Sequence, residues 1–267
     1  MTAITHGGLA PRLTAGRPVG HNPPMSERFT DELAQLVASI WEAQHAHPFV
    51  RGIGDGTLEV ERFAHWVRQD YLFLIEYCRL FGLAAARAPD LDTISRFADL
   101  LQVTARTEMD LHRGYAAQFG ISAADLERES MAPTTRGYTD FLLRVAATGD
   151  FAELASALLP CMWGFSEIGQ RLAVQPRPSD ARYAAWIEMY ADPEFADLAT
   201  WCRSLVDRLA EDAGPAARER MAAAFVTSSR YELAFWEASY TLERWPDQSP
   251  ALRPTWSSEG NPDQAAP

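Results

Sequence analysis

The sequence predicts an all-α protein, and three observations carry this prediction. From Ser26 onward, hydrophobic residues recur at steps of three and four, the spacing of one face of an α-helix. Segments in which β-branched residues alternate at period two are few, and short breakers separate the helical segments. A chain of 267 residues can bury the core of one large domain, so we expect a single-domain helical bundle.

Breaker residues set the bounds of the predicted helices. The first helix covers about residues 27–46 and ends before His47-Pro48, since a proline drives the preceding residue out of helical geometry. Gly52 to Gly56 is predicted to be a tight connecting loop rather than a phosphate cradle, because no strand precedes it and no Gly-Lys-Ser/Thr follows. Further helices are predicted over residues 60–88, 91–119, 134–148, 151–173, 180–189, 194–211 and 216–243.

The two ends of the chain differ in composition from the rest. Residues 1–25 are rich in Gly and Pro, and residues 246–267 are rich in Pro, Ser and Asp. Such segments lack the apolar residues that offset the entropy of ordering, so we expect both to be disordered and the helical domain to span residues 26–245. Met25 directly precedes the first helical pattern and is a candidate start of the natural protein.

Charge and cysteine usage exclude several classes of function. The net charge is -12 and no run of Lys and Arg occurs, which argues against nucleic acid as a partner and favours a small neutral or cationic ligand. The three cysteines are far apart and lack Cys-x-x-Cys spacing, which argues against a disulfide framework or a structural zinc site. No stretch of about 18 apolar residues could span a membrane. We therefore expect a cytoplasmic protein with no membrane partner.

Two acidic residues occupy positions on core-facing helical stripes. Asp70 and Glu232 each interrupt a row of apolar or small side chains, formed by Phe63, Trp66, Val67 and Leu74 in one helix and by Met221, Phe225, Ser228, Phe235 and Ser239 in the other. Burying an ionised carboxylate without partners costs several kcal/mol, so each acid must be paired, protonated or directed at a polar cavity. A purely structural acid, bonded to backbone or arginine, remains the alternative.

Cys161 directly follows Pro160 inside a predicted helix. A proline there removes one backbone hydrogen bond and kinks the helix at a cost of roughly 3 kcal/mol, so a positioned thiol is one explanation and a small buried filler is the other. Aromatic residues accompany the acids and the thiol at helical spacing, which suits either a pocket for a flat heterocycle or an aromatic core: Phe73, Phe165, Trp236 and Tyr240. Tyr138 and Tyr190 could supply phenolic donors.

A metal centre is a weaker interpretation. Glu42 and His45 match the Glu-x-x-His pair of di-iron helical bundles, but a second copy is missing. Glu108 and His112 are four residues apart and could share a metal, although a helix-surface ion pair or a buried hydrogen bond is favoured. No Walker loop, dinucleotide fingerprint or Gly-x-Ser-x-Gly elbow occurs, so we expect no metal and no organic cofactor.

Several segments together resemble one family. In chain order they are His47-Pro48-Phe49-Val50 with the glycines that follow, Arg62-Phe63 through Gln69-Asp70, Glu108 to His112, Leu158-Leu159-Pro160-Cys161-x-Trp163, Glu167-Ile168-Gly169, Trp186-Ile187-x-x-Tyr190 and Glu232-x-x-Phe235-Trp236. With these segments the chain resembles the TenA family, the thiaminase II group with a haem-oxygenase-like fold. The resemblance implies a homotetramer and a thiamin-salvage hydrolase that converts 4-amino-5-aminomethyl-2-methylpyrimidine to the 5-hydroxymethylpyrimidine, with thiamin as a second candidate substrate.

The resemblance also implies residue roles. Cys161 matches the family nucleophile, Glu232 the acid/base and Asp70 the carboxylate that holds the ring's amino group and an adjacent ring nitrogen. Tyr138 and Tyr190 match pocket tyrosines.

Two substrate-pocket positions depart from the family. Phe73 and Phe165 stand where the family commonly has tyrosine, and a lost buried hydrogen bond costs about 1 kcal/mol, so these positions bear on substrate choice and turnover, with a relaxed or an altered ring preference as the alternatives. Two other functions stay open: a non-catalytic pyrimidine-binding or regulatory protein on the same scaffold, and a metal-dependent helical-bundle oxidase.

Overall fold

A computed structural model describes residues 28–246. These residues form α-helices joined by short connections, with one π-helical turn and no β-strand among them. The helices are α1 (Phe29–Leu36), α2 (Ala38–Ala46), α3 (Pro48–Asp55), α4 (Val60–Arg87), α5 (Leu91–Val103), α6 (Met109–Gln118), α7 (Ala123–Arg128), α8 (Pro133–Thr148), α9 (Phe151–Ala173), α10 (Ala181–Tyr190), α11 (Pro193–Glu211) and α12 (Pro215–Thr241). The all-α prediction is confirmed. Apart from Pro246, the two ends predicted to be disordered and the candidate start at Met25 lie outside the described residues.

Helix α9 lies at the centre of the bundle. It packs against α12, α11, α10 and α8, and it also contacts α4. Its residues are buried on nearly every side, from Leu154 to Leu172. A helix that is apolar on all sides must be covered by other helices. The core therefore lies between α9 and the helices packed around it, among them α4, α8 and α12. Within residues 28–246, no helix is both long enough and apolar enough to cross a membrane.

Side-chain caps fix where the central helices begin. Asp150 accepts a hydrogen bond from the backbone N–H of Glu153 over 2.8 Å at the start of α9. Asp90 accepts one from Thr93 over 2.8 Å at the start of α5. Each cap satisfies a backbone donor that the helix itself cannot, and such caps stabilise a helix by about 1 kcal/mol.

The prediction of a connecting loop from Gly52 to Gly56 is wrong. His47 Nδ1 accepts the backbone N–H of Phe49, and Pro48 occupies the first helical position, so a helix begins there and continues to Asp55. A Cβ on Gly52 would lie 2.9 Å from Cβ of Leu58, so the glycine permits close packing. Gly56 ends the helix with φ of 79°, a conformation that favours glycine.

Two predicted long helices are divided. The first breaks at Val37 into α1 and α2. The helix predicted over residues 91–119 contains a π-helical turn at Thr104–Glu108, between α5 and α6. Helix α7 was not predicted, although Ser122 and Asp125 cap it reciprocally. The other predicted helices agree with the structure to within a few residues at each end, and α9 runs through Pro160 as one helix.

Candidate active site

Both acids predicted on core-facing stripes are buried. Asp70, on α4, is 4% exposed, and Glu232, on α12, is 3% exposed. Each has a short hydrogen bond to a side chain from another helix, as burial of a carboxyl group requires. The prediction that these acids face the interior is therefore confirmed, and their surroundings decide their protonation.

Asp70 is paired with a histidine that donates from both ring nitrogens. His112 Nδ1 lies 2.9 Å from the backbone carbonyl of Glu108, which can only accept, so Nδ1 carries a proton. His112 Nε2 lies 2.6 Å from Oδ2 of Asp70. Burial lowers the pKa of His112, but the hydrogen bond and charge of Asp70 outweigh it and raise the pKa overall. The contact with Asp70 thus favours the protonated form of His112, and Oδ1 of Asp70 is free of this bond.

Glu232 is held by a tyrosine and a serine. Tyr138, on α8, donates to Oε1 of Glu232 over 2.6 Å, and its hydroxyl lies 2.8 Å from Oγ of Ser228. Burial raises the pKa of Glu232 to about 8; the Tyr138 hydrogen bond lowers it, and the charge of Asp70 raises it. Glu232 is therefore a protonated acid at neutral pH, and its proton sits on Oε2 because Oε1 accepts from Tyr138.

Cys161 as a residue is half-buried, whereas its neighbours Pro160 and Met162 on α9 are buried. Burial raises the pKa of Cys161 well above its usual range, and the charges of Glu232 and Asp70 raise it further. Tyr77 donates its own proton to the carbonyl of Leu158 over 2.9 Å. The resting cysteine is consequently a neutral thiol, and its attack on a substrate requires transfer of the thiol proton.

An open space adjoins the thiol inside the bundle. Gly164 lies one turn after Cys161 on the same face of α9 and is buried. A Cβ built on Gly164 would meet no heavy atom within 4 Å. This face of α9 therefore has open space at Gly164, one turn from Cys161.

Aromatic rings from α4, α9 and α10 stand around the thiol and the acids. The Phe73 ring lies 5.0 Å from that of Tyr138 and 5.3 Å from that of Tyr77. The Phe165 ring lies 4.9 Å from that of Tyr190. Burial and the charges of Asp70, Glu108 and Cys161 raise the pKa of Tyr190 well above its usual range, so Tyr190 is a neutral phenol. Its hydroxyl has no hydrogen-bond partner among the residues in 28–246.

The seven residues predicted for the site thus come together from α4, α8, α9, α10 and α12: Cys161, Glu232, Asp70, Tyr138, Tyr190, Phe73 and Phe165. Sequence reasoning missed the roles of Tyr77, Ser228 and His112. Tyr77 lies one turn after Phe73 and Ser228 one turn before Glu232, so helical spacing could have indicated both. Nothing in the local sequence could have paired His112 with Asp70.

The metal interpretation finds no support in the geometry. Glu42 is exposed on α2 and lies 4.0 Å from Arg171, and its partner His45 is half-buried. His112 uses both ring nitrogens for hydrogen bonds to protein atoms. Over residues 28–246, no group of three or more His, Cys, Asp or Glu side chains is arranged to hold a metal ion.

Comparison with known families agrees with this arrangement. The profile of the TENA/THI-4/PQQC family matches residues 34–242. The chain belongs to this family. The resemblance predicted from the Pro160-Cys161 and Glu232-x-x-Phe235-Trp236 segments is confirmed, since both fall within the matched range.

Two relatives of the chain share one name. The chain is 43% identical over 218 residues to an aminopyrimidine aminohydrolase of Halalkalibacterium halodurans, covering 81% of this chain and 97% of that protein. It is 37% identical to an aminopyrimidine aminohydrolase of Bacillus subtilis, covering 83% and 94%. Among solved structures, a TenA homologue from P. horikoshii OT3 superposes with a TM-score of 0.75 at 26% identity, over 80% of this chain and 99% of that one.

The fold class has a second structural match. A domain from Shewanella denitrificans described as having a haem-oxygenase-like fold superposes with a TM-score of 0.62 at 14% identity, over 80% of this chain and 92% of that one. At this identity the likeness concerns the fold alone. The predicted haem-oxygenase-like architecture of this TENA/THI-4/PQQC family member is confirmed.

Proposed function

We propose that this protein is an aminopyrimidine aminohydrolase of thiamin salvage. It exchanges the 5-aminomethyl nitrogen of 4-amino-5-aminomethyl-2-methylpyrimidine for a hydroxyl group and releases ammonia, with thiamin as a possible second substrate. One observation carries the proposal: half-buried Cys161, one turn from open space at Gly164, lies beside Glu232, a carboxyl group that keeps its proton at neutral pH. The name shared by the relatives from H. halodurans and B. subtilis supports it.

The residues suit a two-stage substitution. Cys161 adds through sulfur to C6 of the electron-poor pyrimidine while the thiol proton passes to the adjacent ring nitrogen, from which it returns to sulfur when the C–S bond breaks at the end. Glu232 gives a proton to the 5-methylene nitrogen as the C–N bond breaks and ammonia leaves. Water then adds to the exocyclic methylene carbon while ionised Glu232 accepts its proton. Breaking the C–S bond returns the sulfur to Cys161, so that aminomethylpyrimidine and water yield hydroxymethylpyrimidine and ammonia.

Asp70 and Tyr190 are proposed to orient the ring. His112 occupies Oδ2 of Asp70, which leaves Oδ1 to accept a hydrogen bond from the ring's amino group. Tyr190 has a hydroxyl without a partner in the described part of the chain and can bond a ring nitrogen. Phe165 packs on Tyr190 and Phe73 on Tyr138, so both phenylalanines supply apolar ring contact rather than hydrogen bonds.

Product analysis tests the proposal. The protein is incubated separately with the aminomethylpyrimidine and with thiamin, and ammonia, thiazole and hydroxymethylpyrimidine are quantified. Cys161→Ala should lower turnover by at least about 10³-fold, as removal of a nucleophile does elsewhere. Cys78→Ala, which removes a thiol outside the proposed site, is the matched control and should keep full activity. Undiminished turnover in Cys161→Ala would contradict the nucleophile assignment, and ligand binding without product would favour the non-catalytic alternative.

We further propose that residues 26–245 form the catalytic domain. We also propose that the protein is cytoplasmic and forms a homo-oligomer, which by resemblance to the family is a tetramer. The indole N–H of Trp245 donates to the carbonyl of Met131 over 2.9 Å, which supports a domain boundary just after this residue. A chain limited to residues 26–245 should keep the turnover of the full chain. Light scattering after size-exclusion chromatography tests the tetramer, and a monomeric mass would contradict it.

A further inference from the structure

Three oxygen atoms from two helices form a buried hydrogen-bonded chain in the site. Oγ of Ser228 lies 2.8 Å from Oη of Tyr138, and Oη lies 2.6 Å from Oε1 of Glu232. Ser228 is 0% exposed and Tyr138 is 1% exposed, so neither can turn to bulk water for a partner. The direction of the protons along this chain is therefore set by the three groups themselves.

The hydroxyl group of Tyr138 determines the direction of the hydrogen bonds along this chain. Tyr138 has one proton, and it donates that proton to Oε1 of Glu232. The remaining contact of the hydroxyl, with Ser228, must then use a phenol lone pair, so Ser228 is the donor. Each donor in the chain thus points towards Glu232.

We propose that Ser228 is a positioning residue for Glu232: its hydroxyl donates to Tyr138, commits the phenolic proton to Oε1, and so stabilises the carboxylate that forms when Glu232 gives up its proton. That this proton goes to the departing ammonia rests on the proposed function. The chain of hydrogen bonds itself does not rest on it.

The chain favours the ionised acid over the protonated acid. A hydrogen bond to an ionised acceptor is about twice as strong as one between neutral groups, and polarisation passes along connected bonds. When Glu232 ionises, the Ser228–Tyr138 bond therefore strengthens together with the Tyr138–Glu232 bond. Loss of the Ser228 hydroxyl removes more stabilisation from the carboxylate than from the acid.

The other groups near Glu232 act in the opposite sense. Burial and the charge of Asp70, on α4, both raise the pKa of Glu232, whereas the hydrogen bond from Tyr138, on α8, lowers it. Cys161, on α9, lies close enough that the charge of Glu232 raises the pKa of its thiol, and His112 compensates the charge of Asp70. The chain from α12 and α8 therefore opposes burial and Asp70.

The neighbouring residue provides a matched control. Ser229 is also 0% exposed on α12, but its Oγ has no hydrogen-bond partner within the described chain. Ser229→Ala removes the same atom from the same helix without touching the chain to Glu232.

The experiment follows ionisation of Glu232 in the substrate-free, full-length protein. The pH-dependent infrared carboxyl band is recorded and assigned through its loss in Glu232→Gln. Ser228→Ala should move the midpoint upward by about half a pH unit, because the lost bond joins two neutral hydroxyls and acts on Glu232 only through Tyr138. Ser229→Ala should leave the midpoint in place. In a Tyr138→Phe background, adding Ser228→Ala should produce no further shift, because the chain is already broken.

An unchanged or lowered midpoint in Ser228→Ala overturns the proposal, as does an equal shift with and without Tyr138. Thermal unfolding is measured in parallel, and if Ser228→Ala does not fold, Ser228→Cys, whose thiol is a weaker donor, should give a smaller upward shift. No shift in that folded variant also overturns the proposal. Turnover is measured separately: an upward shift in a protein without aminohydrolase activity supports the role of Ser228 and contradicts the proposed function instead.

Discussion

Glu232 combines two properties that rarely occur in one carboxyl group. It is buried among rings, which raises its pKa to about 8, yet it has a hydrogen-bond donor ready for its ionised form in Tyr138. Burial makes Glu232 a proton donor at neutral pH. The hydrogen bond from Tyr138 stabilises the carboxylate that remains after the proton is lost. An acid that must first protonate a leaving amine and then accept a proton from water needs both.

The pH profile of turnover should report this group. Because a raised pKa keeps the acid protonated below about pH 8, kcat/KM for the aminomethylpyrimidine is expected to fall as the pH rises through that value. Steady-state rates between pH 6 and pH 10 measure the effect. Glu232→Gln should be slow at every pH and lack this limb. A limb that persists with the same midpoint in Glu232→Gln would assign it to another group.

The buried pair of Asp70 and His112 makes a second prediction at this scale. His112→Ala leaves the Asp70 carboxylate buried without its partner, so we expect a loss of about 3–5 kcal/mol in the free energy of unfolding. Urea unfolding measures it. His65→Ala is the control. Like His112, His65 is buried, but it lies on α4 and its Nε2 has no partner in the described residues. It should cost about 1–2 kcal/mol, and equal losses would show that the pair contributes only packing.

At the scale of elements, α9 and α10 meet backbone to backbone where Tyr190 enters the site. A Cβ on Gly169 of α9 would lie 2.4 Å from the carbonyl carbon of Tyr190. Backbone atoms cannot move aside alone, so the helices would have to separate and Tyr190 would leave its place beside Phe165. The glycine is therefore required by this helix contact.

We expect Gly169→Ala to destabilise the fold by about 1–3 kcal/mol and to raise KM more than it lowers kcat, because it displaces a ring-binding residue. Thermal unfolding and steady-state kinetics measure the two effects. Gly164→Ala, on the same helix, meets no atom within 4 Å and should be as stable as the natural protein or more stable by up to about 1 kcal/mol. A Gly169→Ala protein of unchanged stability would contradict the close contact.

At the scale of the whole molecule, the proton on Glu232 links the site to folding. The folded pKa of about 8 lies above the unfolded value of 4.5, so between these values the folded state holds a proton that the unfolded state has lost. The stability due to this proton is fully present below about pH 4.5 and is lost as the pH rises through about 8. The site therefore destabilises the bundle most at alkaline pH.

Glu232→Gln should remove this dependence. Its neutral amide keeps an oxygen for Tyr138, so the variant is expected to be more stable than the natural protein at pH 9, by up to a few kcal/mol, and similar at pH 5. Unfolding temperatures across this pH range measure the difference. Glu211→Gln, at an exposed position, serves as control and should follow the natural protein. A parallel pH dependence in Glu232→Gln and the natural protein would contradict the raised pKa.

The sequence by itself determined the helical architecture and indicated candidate residues for the site. Helix periodicity and the residues that start and stop helices act within about one or two turns, so α4, α8, α9 and α12 could be predicted to within a few residues. The same periodicity placed Asp70 and Glu232 on buried faces. Because a buried acid among apolar neighbours requires an explanation, the pattern alone indicated a site.

Only the tertiary structure decided which groups share protons. His112 follows Asp70 by 42 residues and Glu232 follows Tyr138 by 94, so no local pattern could join them. The helix Pro48–Asp55 was missed although local signals mark it, with Pro48 at its first position and Gly56 at its end. The π turn at Thr104–Glu108 was also not predicted. Protonation depends on burial and on partners brought from other helices, and both exist only once the bundle has assembled.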